Sequence, residues 1–290
     1  MIIVKLAGGL GNQMFQYAMA RAVAEQNRTD LVIDISWFDR YKNNLAPRKY
    51  ALDNFNISGK LLKTGILHRV LSKLAFLEDL RPIQKRYYIK EKKLFHFDSG
   101  IFNVSKNAYI DGYWQNEKYF KGIEGIIKKE FTLKNLPSPL FCKLSNEMVN
   151  SESVSIHIRR GDYIHSKETN KVHGVCSLNY YNQAIKIING FVEDPTFFVF
   201  SDEIDWAKNN LKLNYPTLFV SNKLMKDSEE LILMSKCKHN IIANSSFSWW
   251  GAWLSENSHK IVIAPNQWFS EKRMKNIGES DIIPKSWIKI

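Results

Sequence analysis

The sequence predicts an α/β protein whose C-terminal half is a doubly wound parallel sheet, and two observations lead to this fold class. First, β-branched runs alternate with amphipathic stretches through the second half of the chain. Second, a glycine-rich loop joins a strand-like segment to a helix-like segment close to the N-terminus. In open sheets of this kind ligands bind beyond the carboxyl ends of the strands, so we expect the functional residues there.

The first half of the chain has fewer and less regular elements than the second. Its expected strands are Ile2–Leu6, Leu31–Ile35 and Ala108–Gly112. A helix is expected over residues 13–27, directly after the glycine-rich loop. The segment NLPSP, residues 135–139, is a candidate linker with a proline suited to the first turn of a following helix. We therefore expect an N-terminal α/β domain over residues 1–140 and a Rossmann-like domain over residues 141–290.

The second half alternates regularly between the two kinds of element. The expected strands are Val154–Ile158, Thr196–Phe200, Thr217–Val220, Asn240–Ala243 and Lys260–Ile263. The expected helices between them are Leu178–Asn189, Ile204–Leu211, Ser228–Cys237 and Phe247–Glu256. This order predicts a parallel sheet with helices on both faces.

The net charge limits the possible partners of the chain. It is +12, and most of the excess lies in the first half. Nucleic acid, an anionic membrane face or an anionic small substrate would all suit such a charge. Because no nucleic-acid-binding motif is present, we expect no nucleic-acid partner. No apolar run reaches the ~18 residues of a membrane span, and the N-terminus does not resemble a signal peptide, so a cytoplasmic location is expected.

A basic stretch, residues 66–80, has apolar residues at helical spacing and lysine or arginine around them. One interpretation is a helix that packs its apolar side on the first domain. The alternative is a helix that docks on the anionic inner face of the membrane.

The spacing of acids, histidines and cysteines predicts no metal site. There is no Asp-x-Asp pair, and the histidines His157, His165 and His173 lack a completing set of carboxylates or thiolates. Three cysteines are far apart and are expected to be reduced residues of the core. They are Cys142, Cys176 and Cys237.

The glycine-rich loop GGLGNQM lies between the first strand and the first helix. Glycines allow a ligand to approach the backbone, and the amides at a helix N-terminus favour an anion. A dinucleotide fingerprint would have a third glycine where Met14 stands, although Asp34 ends the next strand as a ribose-binding acid would. We expect Gly11, Asn12 and Gln13 to contact a ligand, with a tight turn that binds nothing as the alternative.

The motif SIHIRRGDY places two arginines directly after an expected strand. A guanidinium offers paired donors that match phosphate oxygens, and it can do the work of a divalent cation. Neighbouring strand residues point to opposite faces, so Arg159 is expected on the ligand, with His157 on the same face. Arg160 either joins it or pairs with Asp162 or another acid to fix the loop.

Two further strands end in polar residues. The carboxylate of Asp202 suits a base edge or ribose hydroxyls, with helix capping as the alternative. Asn244, Ser245 and Ser246 precede an expected helix and are a second candidate anion site. Trp249, Trp250 and Trp253 follow, and we interpret them as core residues, with sugar stacking as the alternative.

Five motifs together resemble the bacterial α-1,2-fucosyltransferases of glycosyltransferase family 11. They are GGLGNQMFQYA, GYWQNEKYF, SIHIRRGDY, FSDEIDW and NSSFSWWGAWL. The resemblance implies two Rossmann-like domains in a GT-B-like fold, GDP-β-L-fucose as the donor, inversion at the anomeric carbon and no metal or other cofactor. It also implies a β-galactoside acceptor glycan, free or lipid-linked, bound on the side of the first domain.

The resemblance also implies roles for individual residues. Arg159 would contact the donor diphosphate and His157 the nucleotide, while Asp202 would read guanine or ribose. The serine pair after the fourth expected strand of the second half would contact phosphate, and Asn12 would lie near the sugar diphosphate. Apart from the resemblance, Asp162 is the candidate general base because it lies nearest in sequence to the two arginines, with the bracing of Arg160 as the alternative. Two rival interpretations are a nicotinamide-dependent oxidoreductase and a glycan-binding protein without catalysis.

Overall fold

The computed structural model describes residues 1–40, 48–62, 87–222, 224–270, 275 and 280–290. The chain divides into two compact units. The first unit is Met1–Thr132 with Ser280–Ile282, and the second is Leu133–Glu279 with Ile283–Ile290. The division lies slightly before the expected boundary at residue 140, and the return of a C-terminal segment to the first unit was not predicted. That segment is held by an ion pair of 3.1 Å between Lys118 and Asp281.

The first unit contains a parallel sheet in the order β3-β2-β1-β5-β4. Its strands are β1 (Ile2–Lys5), β2 (Leu31–Asp34), β3 (Lys60–Leu61), β4 (Tyr88–Lys90) and β5 (Ala108–Asp111). Its α-helices are α1 (Leu10–Gln26), α2 (Ser36–Arg40) and α3 (Glu124–Glu130). The 3-10 helices are Leu52–Asn54, Ser99–Asn103, Glu117–Tyr119 and Lys121–Ile123. The three strands and the long helix expected from the sequence are confirmed, whereas β3 and β4 were missed.

The second unit contains a parallel sheet in the order β11-β10-β9-β6-β7-β8. Its strands are β6 (Ser153–Ile158), β7 (Thr196–Ser201), β8 (Thr217–Phe219), β9 (His239–Ile241), β10 (Val262–Ala264) and β11 (Ile288–Lys289). The chain runs from β6 outward to β8 and then returns to place β9 on the other side of β6. The gap between β6 and β9 is therefore the point where the strand order reverses, the usual ligand crevice of open parallel sheets.

The four helices expected from the alternation are confirmed, and the described residues of the second unit form three further helices, one before its first strand and two directly after that strand. Together these helices are α4 (Pro139–Val149), α5 (Gly161–His165), α6 (Lys167–His173), α7 (Leu178–Asn189), α8 (Ile204–Asn210), α9 (Asp227–Lys236) and α10 (Ser246–Leu254). Every residue of β6 is buried, as expected for a central strand covered on both faces. The α/β class with parallel sheets is thus confirmed, while the doubly wound and GT-B-like arrangements stay predictions.

Several local expectations can be compared with the described residues. Trp249, Trp250 and Trp253 are buried, so their interpretation as core residues is confirmed. The expectation of three core cysteines is wrong for Cys142, which is exposed because α4 turns Phe141, Leu144 and Met148 inward instead. None of the described helices has the length and apolarity needed to cross a bilayer. The basic stretch 66–80 lies outside the described residues.

Candidate active site

The two arginines and two acids meet because β6 and β7 are paired in register. Ile158, the last residue of β6, lies opposite Ser201, the last residue of β7. The residues that follow each strand are therefore neighbours at the carboxyl edge of the sheet. Arg159 stands beside Asp202 for this reason, close to the point where the strand order reverses.

Two ion pairs join these strand ends. Arg159 Nη1 lies 3.0 Å from Asp202 Oδ2, and Arg160 Nε lies 3.1 Å from Glu203 Oε2. The backbone amide of Arg160 also donates to Asp202 Oδ1, at 2.9 Å. About a fifth of each of the four side chains is exposed. The site is therefore accessible, and its charges are balanced by contacts inside the protein.

Arg160 is held by an aromatic ring as well as by its ion pair. Its guanidinium carbon lies 3.5 Å from the centre of the Trp206 ring, well within the distance of a cation–π contact. The stacking and the bond to Glu203 together orient the side chain along α8. The acid that pairs with Arg160 is thus Glu203, one of the alternatives that the sequence left open.

Gly161 allows this arrangement because it has no side chain. A Cβ atom at position 161 would lie 2.6 Å from Asp202 Oδ2, far inside van der Waals contact. The glycine opens helix α5, whose second residue is the candidate base Asp162. Close approach of this turn to the carboxylate therefore requires glycine.

His157 lies inside β6 with 4% of its surface exposed. Burial, and secondarily the charge of Arg159, lowers the pKa of His157 to about 3, so its ring is neutral at physiological pH. Nδ1 has no hydrogen-bond partner among the described residues, and the ring packs against Phe247 at 5.6 Å between centroids. A hydrogen bond between this buried nitrogen and a ligand atom would therefore be energetically favourable.

The polar residues after β9 serve two purposes. The Ser245 hydroxyl accepts from the Phe247 amide at 3.3 Å and caps α10, which begins at Ser246. The Asn244 amide donates to the carbonyl oxygens of His173 at 3.0 Å and of Trp268 at 3.2 Å. Asn244 therefore ties loops together in this structure, and its direct contact with a ligand stays a prediction.

A chain of hydrogen bonds supports the turn that carries Asp202 from behind. The Ser201 amide donates to Ser221 Oγ at 2.9 Å, and that hydroxyl donates to Glu230 Oε2 at 2.8 Å. Burial raises the pKa of Glu230 to about 7. No pattern in the sequence indicates these hydrogen bonds, since Glu230 stands among the acidic residues expected at the start of any helix.

The glycine-rich loop of the first unit follows β1 as predicted. Gly8 adopts a left-handed φ of +79°, and Gly9 precedes the first turn of α1. The buried amide of Gln13 donates to the carbonyl oxygens of Gly8 and Lys49, at 3.0 and 2.9 Å, and accepts from the amide of Ala51. Gln13 thus holds the loop, and these contacts give no support to the prediction that it touches a ligand.

Asp34 and Asn12 have protein partners as well. Asp34 is 2% exposed, and it accepts from the Tyr109 hydroxyl at 2.5 Å and from the Ser36 amide at 2.8 Å. Because the carboxylate is used inside the unit, it does not suit the ribose contact of a nicotinamide enzyme. Asn12 Oδ1 accepts from Gln115 Nε2 at 2.7 Å, and this bond joins the first turn of α1 to the GYWQNEKYF motif.

The positions of the acidic, histidine and cysteine side chains in the described ranges bear on metal binding. In that part of the chain, no three histidine, cysteine, aspartate or glutamate side chains come together as metal ligands would. Metal-independent chemistry stays a prediction.

Comparison with known proteins connects these residues to a family. The model described as Glycosyl transferase family 11 matches residues 1–290. The O-antigen biosynthesis glycosyltransferase WbnK of Escherichia coli is 34% identical over 98% of this chain and 99% of its own length. An alpha-1,2-colitosyltransferase of Escherichia coli is 33% identical over 100% of this chain and 98% of its own.

A solved structure shares the fold. Fucosyltransferase NodZ from Bradyrhizobium superposes with a TM-score of 0.53 at 14% identity, over 86% of this chain and 91% of that chain. NodZ has also been co-crystallised with GDP. The likeness extends over both α/β units, and the match to the family model is complete in length. The chain therefore belongs to glycosyltransferase family 11, as the five motifs indicated.

Proposed function

We propose that this protein transfers L-fucose from GDP-β-L-fucose to the 2-hydroxyl of a terminal β-galactoside, in the synthesis of a bacterial surface glycan. The transfer inverts the anomeric carbon, forms an α-1,2 linkage and uses no metal ion. The observation that carries the proposal is the Arg159 guanidinium, oriented by Asp202 at the end of the central strand. The O-antigen relative and the GDP complex of NodZ support the glycan and the donor nucleotide.

The chemistry needs positive charge where GDP departs. The acceptor oxygen forms a bond to the anomeric carbon while the bond from that carbon to the β-phosphate oxygen breaks, and its electrons leave with GDP. The hydroxyl proton passes to a base or to water. Arg159 offers two parallel donors to the phosphate oxygens, where one preorganised donor typically contributes about 3 to 4 kcal/mol to the transition state.

Other predicted residues bind other parts of the sugar nucleotide. Asp202 accepts from the guanine edge or the ribose hydroxyls, and His157 offers its neutral ring to the nucleotide. Ser245 and Ser246 present a hydroxyl and helix-terminal amides to phosphate, an environment that favours anions. Asn12 lies at the sugar diphosphate, on the first turn of α1.

The acceptor and the base complete the proposal. We assign the acceptor glycan, free or lipid-linked, to the first unit in a GT-B-like arrangement, and the general base to Asp162 in α5. The enzyme works in the cytoplasm, where its excess of basic residues favours peripheral contact with the anionic inner membrane face.

A second donor sugar is favoured by one observation. The relative at 33% identity is an alpha-1,2-colitosyltransferase, and colitose differs from L-fucose by the loss of one hydroxyl. A pocket that does not bind this hydroxyl would accept both sugars, whereas a pocket with a partner for it would reject colitose strongly.

The test is incubation of the purified protein, in the presence of EDTA, with GDP-fucose, GDP-colitose and other sugar nucleotides and with β-galactoside acceptors. We expect an α-1,2-fucosylated galactoside and free GDP in equal amounts, identified by linkage analysis. The Arg159→Ala variant is the negative control. Transfer from GDP-colitose alone would show that GDP-colitose, and not GDP-fucose, is the donor substrate. Loss of transfer on chelation would contradict the metal-independent step.

A further inference from the structure

The loop after β5, residues 112–116, has an unusual backbone. Trp114 adopts a left-handed φ of +53°, a conformation that a bulky residue rarely takes. A Cβ at Gly112 would lie 2.5 Å from the Glu91 Cβ, so the loop also requires close packing at its start. Strained positions of this kind persist only where the surroundings hold them, and they cluster at functional sites.

Glu91 holds this loop from inside the unit. Its carboxylate Oε2 accepts from the Tyr113 amide at 2.7 Å, and the side chain is buried. The Trp114 ring is 2% exposed and packs edge-on against Tyr119, with 5.6 Å between centroids. The loop is therefore anchored at the strained residue and at the residue before it, and the next residue, Gln115, projects from a fixed base.

Gln115 reaches from this loop to the glycine-rich loop. The strands β1 and β5 are direct neighbours, so the loops at their carboxyl ends lie side by side. Gln115 is 6% exposed and donates from Nε2 to Asn12 Oδ1 at 2.7 Å. On its other side the Asn12 amide packs over Gly8, where a Cβ would lie 2.6 Å from Asn12 Nδ2. The Asn12 side chain is thus confined between Gln115 and a glycine.

We propose that Gln115 is a positioning residue for sugar transfer, which acts by fixing the orientation of the Asn12 amide in the glycine-rich loop. The inference rests on the proposed function, in which Asn12 lies at the sugar diphosphate. Because the side chain of Gln115 donates a hydrogen bond, Asn12 turns its Oδ1 toward the loop after β5 and its Nδ2 toward Gly8. The GYWQNEKYF motif thereby acquires a role that its sequence alone did not reveal.

The test uses two variants of Gln115 and their matched controls. Gln115→Ala removes the hydrogen-bond donor at this position. Gln115→Glu keeps the shape of the side chain, but its carboxylate can only accept, so the Asn12 amide has to turn over to keep a hydrogen bond. We expect both to lower kcat by about tenfold or more, since displacement of a group near the reacting atoms has effects of this size or larger. KM for the donor substrate should change little for the isosteric variant.

The control is Gln26, a glutamine of the same unit whose Nε2 makes an exposed bond of 3.4 Å to the Phe102 carbonyl. Gln26→Ala and Gln26→Glu should leave kcat unchanged. A double-mutant cycle then separates positioning from a general structural effect. If Gln115 acts through Asn12, the Gln115→Ala, Asn12→Ala double variant is no slower than Asn12→Ala alone.

Additive losses in the cycle, or an unchanged kcat for both Gln115 variants, would overturn the inference while leaving the proposed function intact. An Asn12→Ala variant as active as the wild type would overturn it as well. A wild-type protein that transfers no sugar from any of the donors would remove the proposed function, and the inference with it.

Discussion

The turn at Gly161 allows a sharp test because one added carbon changes the geometry of the arginine–aspartate pair. In Gly161→Ala the new Cβ would start 2.6 Å from Asp202 Oδ2, and ordinary van der Waals contact begins at 3.4 Å. The carboxylate must therefore move by about 0.8 Å, and the same oxygen lies 3.0 Å from Arg159 Nη1. The displacement disturbs both members of the pair at once.

The expected result is a loss of activity without a loss of folding. Misplacement of a catalytic group by about 1 Å can lower the rate by about a hundredfold, so we expect kcat/KM to fall by roughly 10 to 100 times. Position 161 has no left-handed backbone and opens helix α5, where alanine is a better helix former than glycine. The thermal midpoint should therefore stay within a few degrees of the wild type.

The assay is the initial rate of GDP release with saturating acceptor, together with thermal unfolding of the same preparations. Gly125→Ala is the matched control, because a Cβ at position 125 of α3 meets nothing within 4 Å. It should retain full activity. A Gly161→Ala protein with wild-type kcat/KM would refute the role of the pair, since the crowding at Asp202 is unavoidable.

Three further expectations concern the charge of Arg159, the charge of Glu230 and the effect of removing metal ions. Arg159→Ala should lower kcat by about 10²- to 10³-fold with little change in unfolding free energy. Arg159→Lys should restore only part of the rate, because a point charge lacks the guanidinium fork. Initial-rate kinetics and urea unfolding check both variants. Glu230→Gln should flatten the pH dependence of stability. The pKa of Glu230 is about 7 in the folded protein and lower in the unfolded chain, so the wild type loses up to about 3 kcal/mol of unfolding free energy as pH rises from about 4.5 to 7. Urea unfolding of both proteins across this range checks it, and an equal change of unfolding free energy with pH in the two proteins would contradict it. Millimolar EDTA should leave the rate of GDP release unchanged, and restoration by Mg²⁺ or Mn²⁺ of a rate lost on chelation would contradict a metal-independent step.

The regular elements could be predicted where burial and capping agree. The bounds of α7 match the expectation because Ser177 caps its N-terminus and because Tyr181, Ile185 and Ile188 form one buried face. Three of the edge strands could not be predicted: β3, β4 and β11 are only two or three residues long and largely exposed, so they carry no periodic apolar pattern. Short pairings of this kind exist only because a neighbouring strand offers hydrogen bonds.

The candidate residues of the site were predictable by type, whereas their partners were not. The sequence places Arg159 and Arg160 at the end of a strand, and it places Asp202 at the end of the next one. Which arginine meets which acid depends on the register between strands about forty residues apart, and no local pattern encodes that register. The same holds for Gln115, whose partner Asn12 lies on another strand end of the first unit.

Register also explains how the site can exist before a donor arrives. Because Ile158 pairs with Ser201, the first residue after each strand brings a guanidinium and a carboxylate together. A slip by one residue would place Arg159 beside a serine and turn alternate side chains of β6 to the other face, where His157 would no longer share the site. The pair keeps the guanidinium oriented at low cost, since both side chains remain partly hydrated. In the proposed function, a diphosphate that carries more negative charge than Asp202 competes for the same hydrogen-bond donors of Arg159, so we expect binding of the sugar nucleotide and release of this carboxylate to be one event.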